Sequence, residues 1–86
     1  MDPHLAALQR LALAGWLGVP IGDPRNPEML LYTSSSFGVE DSVHVRAHDD
    51  AIAFRKINGT LTESTEGTVA DVVAEALNWS RLVVVR

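Results

Sequence analysis

The sequence predicts an α+β fold. Three observations carry that expectation. A run of alternating apolar and polar residues spans Asp41–Ile57, which is strand periodicity. Two segments, one near each end, repeat apolar residues at helical spacing, which suits helices packed on one face of a sheet. With 86 residues there is room for one core, so residues 1–86 are expected to form a single domain.

The first helix is expected from Pro3 to Leu17. Asp2 is an N-cap and Pro3 suits the first helical position, where a missing N–H costs nothing. Leu5, Leu8 and Ala12 form its stripe, while Leu13 and Leu17 lie off it. Only Gln9 and Arg10 are polar between Leu5 and Leu17, more apolar surface than one buried face requires. Leu13, Trp16 and Leu17 are therefore candidate contacts with a second molecule. Gly18–Glu28 holds three prolines and two glycines and reads as a connection. Met29–Thr33 is a short apolar strand, and Ser34–Gly38 a turn or loop.

In the hairpin, a two-residue turn at Asp49-Asp50 would oppose Val45 to Phe54, Ala47 to Ile52, His44 to Arg55 and Arg46 to Ala53. Val43, Val45, Ala47, Ile52 and Phe54 would then face the core. His44, Arg46, His48 and Arg55 would form an outward basic strip with no acid opposite. Asn58-Gly59 can open another tight turn into a frayed segment, Thr60–Thr62. Thr68 and Asp71 resemble a capping box, and Val69, Val72, Val73, Ala76 and Leu77 make a core stripe for a second helix. Asn78 is a candidate helix stop. Leu82–Val85 reads as a buried strand. The expected order is α-β-β-β-α-β, a mixed or antiparallel sheet with both helices on one face.

Composition narrows function more than motifs do. No cysteine is present, so disulfides and thiolate metal sites are excluded. The formal charge of −4 makes nucleic acid an unlikely partner, because such binding depends on cationic neutralisation of phosphate. The longest uncharged run, Leu11–Gly22, is too short to span a membrane and contains Pro20, and no basic residues precede an apolar run at the start. The default location is cytoplasmic. Arginine-rich basic usage with abundant alanine and valine fits GC-rich coding, as in a bacterium or its phage.

No catalytic constellation is visible. His44 and His48 would lie about 13 Å apart along a strand, too far to share a metal. Asp49, Asp50, Asp23, Glu63 and Glu66 fall in separate turns and loops, which turn preference explains. Ser34-Ser35-Ser36 lacks a nucleophile-elbow setting. Phosphate-binding glycine motifs are absent, and the basic strip has no interleaved aromatic for base stacking.

No cofactor and no metal are expected. The reading is a small non-enzymatic protein-interaction module of the chaperone, inhibitor, adaptor or modulator type, acting as a homodimer and binding another protein. The alternatives are a binder of an anionic ligand or single-stranded nucleic acid through His44, Arg46 and Arg55, and a small enzyme with an inter-subunit site.

Overall fold

The computed structural model describes residues 2–23 and 25–84, with side chains described through Trp79. Two helices flank a five-stranded antiparallel meander, confirming the α+β class. The elements are α1 (Pro3–Leu13), β1 (Leu17–Asp23), β2 (Asn26–Ser36), β3 (Val39–Ala47), β4 (Asp50–Ile57), β5 (Thr60–Gly67) and α2 (Val69–Val84). The strands lie side by side in chain order with β3 at the centre. The observed order is therefore α-β-β-β-β-β-α, and the described pairings are all antiparallel.

Helix α1 starts as the sequence predicts: the Asp2 carboxylate accepts from the His4 backbone N–H at 2.8 Å. It ends four residues early, at Leu13, where Ala14 caps and Gly15 turns with φ +92°. Its buried residues are Ala7 and Leu11, with Leu8 packed beside them. Leu5 and Ala12 of the expected stripe are exposed.

The Gly18–Glu28 connection is instead most of a hairpin. β1 is an edge strand, where a proline such as Pro20 loses little. A bulge at Ile21/Gly22 precedes a turn in which the Asp23 carboxylate accepts from Arg25 N–H at 2.9 Å. Two more turns sit close together. Phe37-Gly38 and Asn58-Gly59 each carry two consecutive positive φ values, the geometry that lets a two-residue turn follow the strand twist. Asn58 N–H donates to the Gly38 carbonyl at 2.8 Å, tying the turns together. The frayed segment expected at Thr60 is a full strand.

The central hairpin departs most from expectation. Its turn is His48-Asp49, and a bulge between Val45 and Ala47 inserts one residue into β3. Val45 therefore pairs with Ala51, His44 with Ile52, Val43 with Ala53, Ser42 with Phe54 and Asp41 with Arg55. An odd shift in register sends each β4 side chain to the other face. Ala51, Ala53 and Arg55 point inward; Ile52 and Phe54 point outward beside His44.

Helix α2 packs across β3, β4 and β5, and α1 packs on α2, so both helices cover one face. Thr68 caps as expected, its hydroxyl accepting from Asp71 N–H at 3.2 Å. Val69, Val72, Val73 and Ala76 are fully buried against Val43, Val45, Ala51 and Ala53. The stripe continues to Trp79, whose indole N–H donates to the Glu75 carboxylate at 3.1 Å. Asn78 does not end the helix. Residues 82–84, expected as strand, are its last residues; Val85 lies outside the described residues. Helix formation is cooperative, and docking of the stripe outweighs the modest penalty of several valines. The small inward side chains of β4, two alanines, let the helix lie close to the sheet.

Candidate functional site

The helix-free face of the sheet is the most extended candidate surface. Alternation puts Leu17 and Val19 of β1, Leu31 of β2, Ile52 and Phe54 of β4 and Leu61 of β5 on it. Leu17 is 66% exposed, Leu61 53% and Val19 41%. Ile52, Phe54 and Leu31 are half-buried. Down the middle runs the polar column of β3: Glu40, Ser42 and His44. The His44 ring meets Phe54 edge-on, with centroids 5.7 Å apart. A shallow hollow of about 440 Å³ lies over this region, lined by Thr33, Ser42, His44, Phe54, Lys56 and Leu61 among others.

The basic strip expected from the sequence does not exist as one surface. Arg55 is buried on the helix-covered face. Its Nε and terminal amine donate to the two Asp41 carboxylate oxygens at 2.7 and 2.8 Å. The Asp41 hydrogen bond holds the Arg55 pKa above its ordinary value, with Glu63 on the next strand adding to the effect. The acid thought to be missing is therefore directly opposite Arg55. Arg46 remains exposed at the bulge and pairs with Asp50 at 3.2 Å. Of the residues expected to form the strip, Arg55 is thus withdrawn from the surface, while Arg46 stays exposed and Lys56 and His44 lie beside the hollow.

His48 sits in the turn, away from the His44–Phe54 contact. It lies instead against His4, with ring centroids 5.4 Å apart. His4 is half-buried, and its Nδ1 is enclosed without a hydrogen-bond partner among the described residues. Among the described residues no group of three or more His, Cys, Asp or Glu side chains is placed to hold a metal ion.

The three expected contact residues around the first helix separate. Trp16 is buried in the core, because the chain turns at Gly15 and folds the indole inward. Leu13 is 88% exposed at the end of α1. Leu17 belongs to β1 and to the open sheet face. That face was hidden from sequence reasoning by the bulge. The signal that could have found it is Ile52 and Phe54 alternating with two alanines, since small residues suit a strand face pressed by a helix.

Compared with known proteins, the chain matches no family model, no curated protein and no solved structure. No helix among the described residues is long and apolar enough to cross a membrane.

Proposed function

We propose that this chain is a small, non-enzymatic protein-interaction module of the cytoplasm that works through the helix-free face of its sheet. The observation that supports this is the apolar content of that face. An antiparallel sheet can leave one face to water, but it then presents polar side chains there. Here Leu17, Val19, Leu31, Ile52, Phe54 and Leu61 share the face. They fall in two groups on either side of the polar β3 column, and exposed apolar patches rimmed by polar residues mark interaction surfaces.

The test is a photo-crosslinking aromatic residue in place of Phe54, expressed in the native host and irradiated. A covalent adduct to a protein is expected, and a matched crosslinker at exposed Gln9 on α1 should give none. If the two positions give equal background, this reading is wrong.

A further inference from the structure

We infer that the occupant of the open sheet face is a second copy of this chain, docked face to face about a two-fold axis that crosses the strands. This rests on the interaction reading above and names the partner. The argument begins with the outward column of β4. Alternation against buried Ala51, Ala53 and Arg55 places Asp50, Ile52, Phe54 and Lys56 on the open face. The column reads acid, apolar, apolar, base. Turned end for end, it matches itself.

The neighbouring column of β3 repeats the charged ends, with polar Ser42 and His44 between them. Glu40 lies opposite Lys56, Ser42 opposite Phe54 and His44 opposite Ile52. Arg46 closes the other end through its ion pair with Asp50. One end of the face thus carries Glu40 and Lys56, and the other carries Arg46 and Asp50. A two-fold axis passing between the Ser42–Phe54 and His44–Ile52 pairs superposes these ends. Lys56 then meets the second copy's Asp50, Arg46 meets its Glu40, and Ile52 meets its Phe54. On β1 and β2 the same axis stacks Leu17 on Val19 and Leu31 on Thr33.

The orientation follows from the strand order. An axis running along the strands would lay β5 over β1, setting Glu66 and Ser64 against Val19 and Leu17. The crossing axis instead places each strand over its own copy, so that Ile52 meets Phe54 and Leu17 meets Val19 while polar Ser42 meets His44 and Ser64 meets Glu66. An isologous contact of this kind closes after two chains.

The area is sufficient. Five strands spaced about 4.8 Å, each contributing about 20 Å of length, present about 500 Å² of flat surface per copy. Two copies give about 1,000 Å² before side-chain relief is counted, which is the threshold for a specific interface. The layers would stack about 10 Å apart as in a sandwich, covering the hollow beside Phe54 and leaving the helices outside.

The test is a charge-swap mixing experiment followed by sedimentation. The wild-type chain should be a dimer in the micromolar range. Asp50→Lys sets lysine against lysine twice in a self-dimer, and Lys56→Asp sets aspartate against aspartate twice. Each variant alone should self-associate about tenfold or more weakly. Mixed in equal amounts, they should form a one-to-one heterodimer, because both contacts again join opposite charges. Circular dichroism checks that each variant is folded, and Leu13→Lys should leave the dimer intact. A mixture no stronger than its components, or a dimer broken by Leu13→Lys, overturns the proposed face and axis. A wild-type chain that stays monomeric overturns the second copy as occupant. The Phe54 crosslinker then separates the two ideas: an adduct to a different protein retains the interaction reading, whereas no adduct removes both.

Discussion

Arg55 stands directly opposite Asp41 on adjacent strands, and the two form a two-pronged ion pair on the helix-covered face of the sheet. Both residues are 5% exposed. The planar guanidinium matches a carboxylate at both oxygens, a geometry lysine cannot reproduce. The pair also marks register: a slip of one residue would separate its members and bring the outward side chains to the core.

Arg55→Met should therefore cost about 3–5 kcal/mol, because it leaves the Asp41 carboxylate buried without its counter-ion. Asp41→Leu combined with Arg55→Met should recover most of that loss, since apolar replacement of a buried pair is often neutral. Urea unfolding of the single and double variants measures both. A raised folded pKa on a base stabilises below the unfolded value and loses that contribution only as pH rises through the folded one. Arg55 should thus contribute no loss of stability up to about pH 10.

The paired turns give a second prediction. Gly38 has φ +81°, and a Cβ there would come within 2.5 Å of the Asn58 side-chain oxygen. Gly59 has φ +84° with nothing within 4 Å of such a Cβ. Gly59→Ala should cost about 1–2 kcal/mol from the left-handed backbone alone. Gly38→Ala should cost more, because Asn58 must also move. Equal losses in thermal melts would count against the contact between the turns.

On α1, Leu11 and Leu13 should behave oppositely. Leu11 is fully buried, so Leu11→Ala should destabilise by about 2–5 kcal/mol. Leu13→Lys should change stability by no more than about 0.5 kcal/mol, as for surface substitutions generally. A large effect at Leu13 would mean that the helix end is covered.

Trp79 anchors the later part of α2. Trp79→Ala should cost about 3–5 kcal/mol. Glu75→Gln keeps an acceptor for the indole N–H and should be nearly silent, whereas Glu75→Leu should cost about 1 kcal/mol. Tryptophan fluorescence during denaturation reports each case.

Chelation should leave the melting temperature unchanged. His4 and His48 are in ring contact, but no third ligand joins them among the described residues. A drop of several degrees with EDTA would show that this pair holds a structural ion.

The sequence by itself determined the class of fold, the start of both helices and the Asn58-Gly59 turn. These depend on local chemistry: Asp2 and Thr68 satisfy free N–H groups, and a glycine accepts positive φ without a Cβ clash. The stripe of α2 was equally legible, because a 3.6-residue period needs no knowledge of its partner. Tertiary structure decided the rest. Pro20 looks like a loop residue until β1 is known to be an edge strand, and Leu82–Val84 looks like a strand until α2 is known to dock as one cooperative unit. The single extra residue at Arg46 decided most. Alternation fixes which β4 residues share a face but not which face meets the helices; that depends on register, and one bulge reverses it. It turned Arg55 inward to Asp41 and Phe54 outward to His44, and so exchanged an expected basic strip for a face that carries Ile52 and Phe54.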